Sequence, residues 1–547
     1  MNPRKISKEA RILIVLFLLG ITFKGFLLWQ RSNYIDPDEG YYLLLARNLV
    51  SGNGYTINGL FNIVFPPLLP LLIALFYFVF HNLQISLGII TAVSGGLLGL
   101  VIFKICRSRF SPRYSVFGAF LVLFIYQLNA IVPINKPYIY VLYRGSDILN
   151  SFFVFSILFL AIRLIQTKKI IYSMGAGFLS SLAYLTRPEG LLLWLIVVAI
   201  LIFLLAVRMA QISFKLILTF ILTFIIFSSP YTFYLKKVTG HWMLSGKVAA
   251  RQEYRNALIK VIKNGDWESF NRVHYSINSN LLEMNDNYFG YHATDRRFES
   301  GIMSSLKNTG ENLSLSVVVP KVLFPYPLLI FFVIGLIDGL IQILKKKSAF
   351  DVILFSVFLY SFVLVAVSYP MPRHHLFLVP VFCIYSLLGI RMILSLFMKK
   401  MTKKISYIIV FSIVFFSFAS DYIRYFDESS ISSKSFKTAR QIDRAISEYL
   451  KSRGSQIIMS IQPGFAVRAF SDWQVLPRAD FYTLLKFALK KRVDHIVLQE
   501  NTGYYYRIIE MNGSIIPDSV SDKLGYQIID SRNNFALVRL IKPADSD

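Results

Sequence analysis

Long apolar runs recur along most of the 547-residue chain, separated by short polar segments. A helix needs about 20 apolar residues to cross the ~30 Å hydrocarbon core of a bilayer. We therefore predict a polytopic α-helical membrane protein with about eleven transmembrane helices. The predicted spans are residues 10–29, 85–104, 114–132, 148–166, 170–186, 190–207, 214–233, 320–343, 351–369, 376–398 and 405–420.

Two apolar segments differ from an ordinary transmembrane span in the middle of the chain. The first run, Ile12–Trp29, is too long for a signal peptide and lacks a small-residue cleavage site, so we expect it to be retained as a helix. Residues 65–80, "FPPLLPLLIALFYFVF", form a short run with prolines crowded into its first turn. A run of this length is more often interfacial or re-entrant than spanning, so we expect a helix in the outer membrane–water interface.

The basic residues orient these spans. Cytoplasmic loops carry an excess of lysine and arginine, and with eleven spans every short basic cluster falls on the side of the N-terminus. We therefore predict a cytoplasmic N-terminus and an extracytoplasmic C-terminus, in a membrane of the bacterial inner or plasma type. The clusters are Arg4–Arg11, Lys104–Arg113, Lys168–Lys169, Arg208–Lys215, Lys345–Lys347 and Lys399–Lys404.

This topology divides the chain into two predicted domains. Residues 1–420 form a transmembrane catalytic module, with a first outer loop at 30–84 and a large outer loop at 234–319. Residues 421–547 alternate helical and β-rich patterns and close with a hairpin-like pair, which predicts a small extracytoplasmic α/β domain.

Composition excludes some classes of partner and site. The net charge of +27 would favour nucleic acid in a soluble protein, but here the positive charge lies mainly between apolar runs and indicates topology and anionic lipid. We therefore expect membrane lipids as partners and no nucleic acid. Two cysteines, Cys106 and Cys383, give neither a disulfide framework nor a thiolate metal site.

The acidic residues point to a site on the outer face. Residues 1–230 contain six carboxylates, and three of them, Asp36, Asp38 and Glu39, lie in the first outer loop. Carboxylates at a membrane boundary are costly unless paired, hydrated or used. They would suit a general base, a divalent metal site, or simple capping of the helix that follows. Capping explains one carboxylate well and three poorly, and no histidine or further acid lies nearby in sequence to complete a metal site.

Cations also recur at the predicted outer helix ends. Arg144, Arg187 and the Arg373-His374 pair lie there, where topology does not call for positive charge. Arginine can bind phosphate with two hydrogen bonds, although contact with lipid headgroups is an alternative. Local ion pairs are a second alternative: Asp147 follows Arg144 by three residues, and Glu189 follows Arg187 by two.

Several of these motifs resemble a known family. "DPDEGYYLLLARNLVSGNGY" followed by "FPPLLPLL" resembles the first outer loop of the bacterial GT-C glycosyltransferases, which include lipid A aminoarabinose transferases and protein O-mannosyltransferase-like enzymes. "YRGSDILNSFFVF", "LAYLTRPEGLLL" and "RHHLFLVPVF" are similar to later segments of the same family. The resemblance implies a sugar donor on a polyprenyl phosphate and inversion at the anomeric carbon, outside the cytoplasm.

The resemblance to the GT-C glycosyltransferases also implies functions for individual residues. It makes Asp38 the catalytic base and implies that Arg373 contacts phosphate, with Asp36 and Asp147 shaping the site. We add Glu39, Arg144, Arg187, His374 and Tyr41 as predicted substrate contacts. No cofactor is expected, and a divalent metal is the less favoured alternative.

One departure from the family concerns the donor phosphate. Aminoarabinose transferases carry a Glu-Lys pair before the two prolines, where this chain has Val64 and Phe65. The sequence therefore leaves open both the sugar and the acceptor, which could be a glycan, a lipid or a protein. Lipopolysaccharide glycosylation and protein glycosylation in the cell envelope both fit. The alternative function is a transporter or flippase of lipid-linked sugars. Transporters commonly show internal repeats and midplane charges, and neither is evident here.

Overall fold

A computed structural model gives the fold of most of the predicted helices and part of the C-terminal region. The described residues are 7–30, 35, 37–57, 60–126, 131–132, 141–142, 145–247, 326–345, 348–367, 376–397, 403–428, 444–460, 464–469, 471–475, 485, 488–489, 492–499, 526–532 and 535–540.

Thirteen helices precede the C-terminal sheet in this part of the chain, and short strand pairs lie between some of them. The helices are α1 (Lys8–Gln30), α2 (Pro37–Val50), α3 (Leu68–Phe80), α4 (Leu83–Arg107), α5 (Pro112–Leu121, continued by a π-helical turn at Val122–Tyr126), α6 (Ser146–Thr167), α7 (Ile170–Thr186), α8 (Glu189–Ala206), α9 (Phe214–Thr239), α10 (Tyr326–Leu344), α11 (Ala349–Val367), α12 (Leu378–Phe397) and α13 (Lys403–Glu428). The short strands are β1 (Thr56–Ile57) with β2 (Leu60–Phe61), and β3 (Ile131–Val132) with β4 (Val141–Leu142).

Each of the eleven predicted spans overlaps one of these helices, and α2 and α3 are the two additional ones. The span predicted at 114–132 is helical as far as Tyr126, and residues 131–132 form strand β3 instead. By length and hydropathy, α1, α4, α6, α8, α9 and α12 are long and apolar enough to cross a bilayer. The pair α10–α11, which changes direction by 117°, adds a seventh span if it is counted as one bent element. The structure thus gives six or seven apolar spans, and the full count of eleven stays a prediction.

Helix α3 occupies the segment that was excluded from the spans. It begins after Pro67 and has 13 residues, about 20 Å in length, which is too short to cross the hydrocarbon core. Leu69 and Ile73 are buried against the bundle, whereas Leu75 and Phe78 on the opposite side are more than 60% exposed. An apolar outer face on a short helix fits contact with lipid.

The helix bundle depends on close backbone contact in one place. Helices α10 and α12 cross where Gly335 meets the carbonyl of Tyr385 and Gly389 meets the carbonyl of Phe331. A Cβ atom at either glycine would overlap the facing backbone. Small residues let membrane helices approach in this way, and packing of backbone on backbone replaces the hydrophobic driving force that lipid does not provide.

The C-terminal region contains a five-stranded mixed sheet. Its strands are β5 (Ile457–Ser460), β6 (Asp472–Val475), β7 (His495–Gln499), β8 (Tyr526–Arg532) and β9 (Phe535–Leu540), in the order β6-β5-β7-β9-β8. Strands β6, β5 and β7 are parallel, and β8 and β9 form the antiparallel hairpin that the sequence predicts. Residues 444–452 (α14) and Gly464–Ala469 (α15) are helical. Helix α13 continues to Glu428, past the predicted domain boundary at residue 421, so this boundary stays a prediction.

The sheet region contacts α2 directly. Arg47 near the end of α2 donates to the backbone carbonyl of Ser471 and lies 2.7 Å from the Asp472 carboxylate at the start of β6. Burial lowers the pKa of the Arg47 guanidinium, and the Asp472 carboxylate partly offsets this effect. Gly464, the first residue of α15, lies against Ile35 just before α2. The helix that carries Asp38 and Glu39 is therefore held from both the bundle and the C-terminal sheet.

Candidate active site

Helix ends that the predicted topology would place on the outer side meet around one small cleft. The start of α6, the α7–α8 junction, the second half of α11 and the residues just before α12 surround it. The free space inside is about 10 Å³, which is room for about one water molecule. The cleft is lined by Asp147, Asn150, Ser151, Arg187, Glu189, Tyr360, Leu364, Leu376 and Phe377.

Arg187 is the charged centre of this cleft. Its guanidinium is bound to the carboxylate of Asp147, 40 residues away in sequence, and its Nε lies 3.4 Å from Glu189 Oε2. It also donates to the Ser146 hydroxyl at 3.4 Å. The three charged side chains are only 10–19% exposed, so solvent screens them weakly.

Helix geometry explains why these three charges lie together. Asp147 and Glu189 each lie in the first turn of a helix, where the helix dipole favours negative charge. Arg187 follows the last residue of α7, where the dipole favours a cation. The local pair of Arg187 with Glu189, left open from sequence, is present, and the pairing with Asp147 was not predicted.

The first outer loop lies against the same helix start. Gly145, which precedes α6, has φ 102°, a backbone conformation that favours glycine. A Cβ there would lie 3.9 Å from the ring of Tyr42 on α2 and 3.6 Å from Leu69 on α3. Tyr42 comes one helical turn after Asp38. Helix α2 therefore brings the predicted catalytic loop beside the α6 start that carries Asp147.

Of the three acidic side chains in the first outer loop, the structure describes only that of Glu39. Helix α2 begins at Pro37, so Asp38 and Glu39 belong to its first turn. Glu39 is 2% exposed, and the side chain of Asp38 lies outside what the structure describes. Asp36 also lies outside the described residues, as do Arg144, Arg373 and His374. Their predicted roles stay predictions.

Tyr41 and the segment before the two prolines pack together. The Tyr41 ring, 2% exposed, stacks on Phe65 with ring centroids 5.1 Å apart, and Tyr42 contacts Phe65 edge-on at 4.9 Å. The carbonyl of Phe65 accepts from the Tyr55 hydroxyl at 2.8 Å and from the Asn62 amide at 3.1 Å. Val64 is likewise buried, so apolar packing stands where the aminoarabinose transferases have a charged pair.

Three notable buried residues were not among the candidates predicted from the sequence. Lys24 on α1 is fully buried, and it is the one charged residue of the first apolar run, a signal that marks a functional hypothesis in a membrane helix. Asn150 and Tyr360 line the cleft but come from distant helices, and no spacing rule connects them. Among the described residues, no group of three or more histidine, cysteine, aspartate or glutamate side chains could hold a metal ion.

One family model and several solved structures are similar to this chain. Residues 65–233 match the family model of the dolichyl-phosphate-mannose-protein mannosyltransferases. No curated protein sequence matches the chain.

Solved structures extend the likeness to nearly the whole chain. The apo oligosaccharyltransferase of Archaeoglobus fulgidus is 15% identical and has a TM-score of 0.58, with coverage of 92% of this chain and 71% of that one. ArnT from Cupriavidus metallidurans is 13% identical in its apo state, with a TM-score of 0.56 and coverage of 96% and 97%. ArnT bound to undecaprenyl phosphate is 12% identical, with a TM-score of 0.55 and the same coverage.

The apolar helices and these relatives identify an integral membrane protein. The resemblance read from the sequence motifs is confirmed: this chain is similar to the dolichyl-phosphate-mannose-protein mannosyltransferase family over residues 65–233 and has the fold of the GT-C glycosyltransferases.

Proposed function

We propose that this protein is a glycosyltransferase that moves a sugar from a polyprenyl-phosphate donor to an acceptor on the outer face of the membrane. The observation that carries the proposal is the meeting of several helix ends around the Asp147–Arg187–Glu189 cleft, with α2 packed beside it through Tyr42 and Gly145. The likeness to ArnT, which binds undecaprenyl phosphate in one of its structures, supports the same class of donor.

The proposed reaction is an inverting displacement. An acceptor hydroxyl or amine attacks the anomeric carbon, the bond from that carbon to the phosphate oxygen breaks, and the polyprenyl phosphate leaves with the electron pair. Asp38 takes the acceptor proton. Its position in the first turn of α2 favours the ionised form that a general base needs.

The leaving phosphate needs positive charge nearby. Fixed arginines at a low-dielectric boundary can stabilise that charge without a metal. Arg144 and Arg373 are the proposed phosphate ligands. Arg187 is already bound to two carboxylates, so its predicted contact with phosphate would compete with these ion pairs. A role for Arg187 in holding Asp147 and Glu189 in place fits the geometry better.

The test is sugar transfer by the purified protein in vitro. A radiolabelled pool of polyprenyl-phosphate sugars is supplied with candidate glycan, lipid and peptide acceptors. We expect Asp38→Asn to reduce the transfer rate by about 10²–10⁴-fold, the usual contribution of a general base. Glu448→Gln, in an exposed pair with Arg444, is the control and should retain the wild-type rate. Equal rates in Asp38→Asn and wild type would remove Asp38 as the base, and no transfer to any acceptor would favour the transporter.

The membrane orientation has its own test. A reporter fused to the C-terminus should be active outside the cytoplasm if the chain has eleven spans. A cytoplasmic C-terminus would contradict the topology and, with it, the outer-face site.

A further inference from the structure

Two polar atoms in the Asp147–Arg187–Glu189 cleft stand out because they are buried without a partner. The hydroxyl of Tyr360, a fully buried side chain of α11, makes no hydrogen bond of standard geometry within the described part of the chain, although the Asn150 side chain lies beside it. The same holds for Oδ1 of Asn150 on α6, a residue 3% exposed. A buried polar group left unsatisfied costs about 1–3 kcal/mol, so such groups in a native fold call for an explanation.

Their surroundings indicate what would complete them. The Tyr360 hydroxyl is close enough to Glu189, Arg187 and Asp147 to interact with their charges. One arginine with two carboxylates gives this group a formal charge of −1, which disfavours a phosphate. The free space of about 10 Å³ admits one non-hydrogen atom of the size of a water oxygen. A small, neutral group that forms hydrogen bonds is what the cleft fits.

A hydroxyl group has these properties. It accepts a hydrogen bond from the Tyr360 O–H and donates one to the Asn150 oxygen, and because it does both, it also suits the opposite orientation of the amide. The apolar wall of Leu376 and Phe377 would face the carbon that bears it, as apolar surfaces commonly do in sugar-binding clefts.

We infer that this cleft is a recognition site for one hydroxyl group of a sugar ring, held between Tyr360 and Asn150. The assignment of that sugar to the donor or the acceptor rests on the proposed function. The hydroxyl-binding chemistry itself rests on the two unpartnered atoms and the size of the cleft. Sites built to hydrogen-bond a substrate hydroxyl discriminate strongly against analogues that lack it, so Tyr360 and Asn150 would determine sugar specificity.

Thermal unfolding of the full-length protein in lipid nanodiscs tests this inference. The probes are the methyl glycosides of mannose, glucose, galactose and arabinose, and undecaprenyl phosphate is measured in a separate arm. We expect at least one glycoside to raise the Tm of the wild type by about 1 °C or more, through mass action on the folded state. Tyr360→Phe and Asn150→Leu should weaken that glycoside's apparent affinity by about tenfold.

The matched control removes a buried hydroxyl elsewhere. Tyr385→Phe deletes the hydroxyl of another fully buried tyrosine, which lies 3.5 Å from Asp351. It should leave the glycoside affinity at the wild-type value even where it lowers the Tm of the free protein. A wild type that responds to none of the glycosides, or a Tyr360→Phe variant that keeps the full response, would overturn the inference and leave water as the occupant of the cleft.

A third arm assigns the hydroxyl to its source. If it belongs to the donor sugar, undecaprenyl-phosphate mannose or another sugar-loaded lipid should bind the wild type more tightly than undecaprenyl phosphate, and Tyr360→Phe should lose that difference. If it belongs to the acceptor, a free glycoside should still stabilise protein saturated with sugar-loaded lipid. A glycoside response that depends on Tyr360, without any binding of undecaprenyl phosphate, would support the hydroxyl-recognition site and count against the proposed polyprenyl-phosphate donor. The two proposals can therefore fail independently of each other.

Discussion

Two arginines in this protein have nearly the same set of partners, at opposite ends of the helix bundle. Arg187 is bound to Asp147 and Glu189 beside Tyr360, at helix ends that the predicted topology would place outside. Arg109, in the loop between α4 and α5, is bound to Asp351 and lies 3.2 Å from Asp338, at helix ends that the predicted topology would place inside. Tyr385 lies beside this second group.

The two groups differ in how completely their polar atoms are used. At the Arg109 group, the Tyr385 hydroxyl lies 3.5 Å from Asp351 Oδ1, and Gln342 donates to Asp338 Oδ1 at 3.3 Å. Arg391 donates to the backbone carbonyl of Arg109 at 3.3 Å and brings a second positive charge. None of these side chains has an unpaired buried polar atom within the described residues.

The Arg187 group has the same types of residue, but two of its buried polar atoms make no hydrogen bond of standard geometry with the described residues, and they lie beside an open space. Tyr360 and Asn150 supply those atoms. The comparison teaches that a buried arginine with two carboxylates does not itself mark a functional site. What distinguishes the Arg187 group is hydrogen-bonding capacity that the described residues do not use, next to room for a ligand atom.

The largest effect is expected at the inner group. Asp351 is fully buried, so Asp351→Ala would leave Arg109 with only the partly exposed Asp338 at 3.2 Å and would remove the acceptor of the Tyr385 hydroxyl. Breaking a buried pair in this way costs about 3–5 kcal/mol. The free energy of unfolding in detergent should fall by that amount, while undecaprenyl phosphate binds the folded fraction as before. A loss below about 1 kcal/mol would mean that the group is dispensable for stability.

The corresponding change at the outer group should damage function more than stability. In Asp147→Asn, Arg187 keeps Glu189 at 3.4 Å and an amide of the same shape in place of the carboxylate. We expect a stability loss of about 1–3 kcal/mol and a fall in transfer rate of about 10²-fold or more. Parallel measurements of Tm and initial rate separate the two effects. A variant that loses stability like Asp351→Ala but transfers sugar normally would erase the distinction between the groups.

The contrast between the two arginine groups also explains which structural features could be predicted from the sequence. Periodicity and proline placement predicted α2, α3 and a helix overlapping each expected span, because each depends on residues close together in the chain. The end of the 114–132 span was wrong, since residues 131–132 form strand β3. The short-range pair of Arg187 and Glu189 was open to sequence reasoning for the same reason. The pairs of Arg187 with Asp147 and of Arg109 with Asp351, 40 and 242 residues apart, depend on helix packing and could not be predicted.

The candidate site shows the same limit. The sequence marked Asp147 and Arg187 because charge is rare in apolar surroundings. Asn150 and Tyr360 carry no charge and look like ordinary residues of apolar helices. Their role depends on an unsatisfied atom and a space beside it, and both are properties of the packed structure. Lys24 is the reverse case, since its signal was visible in the first apolar run.

His495 extends the comparison to a buried polar atom that can titrate. Its Nδ1 lies 2.9 Å from the Ser455 hydroxyl, and its Nε2 has no partner in the described part of the chain. Burial lowers the pKa of His495 to about 4, with Arg539 and Arg453 adding to the effect and Asp494 opposing it. The folded sheet therefore disfavours the protonated ring.

Because the pKa of His495 is lower in the folded protein than in the unfolded chain, stability depends on pH. Between about pH 4 and pH 6.5 the unfolded chain binds a proton at His495 and the folded chain does not, so stability is lost as the pH falls through this window. The expected slope is about 1 kcal/mol per pH unit. His495→Gln should flatten it when thermal unfolding of the full-length protein is followed from pH 4.5 to 7.5. An unchanged slope would assign the acid sensitivity to other groups.

The smallest expected effect is the sharpest test of the comparison, because it removes one oxygen atom from each group. Tyr385→Phe deletes a hydroxyl that is hydrogen-bonded to Asp351, so the free energy of unfolding should fall by about 1 kcal/mol. Tyr360→Phe deletes a hydroxyl that makes no hydrogen bond of standard geometry among the described residues, so it should be neutral or slightly stabilising in the absence of ligand. Paired Tm measurements on the two variants, made without sugar or lipid, give the difference directly. Equal losses would mean that the Tyr360 hydroxyl is already satisfied in the free protein, and the outer cleft would then be as closed as the inner group.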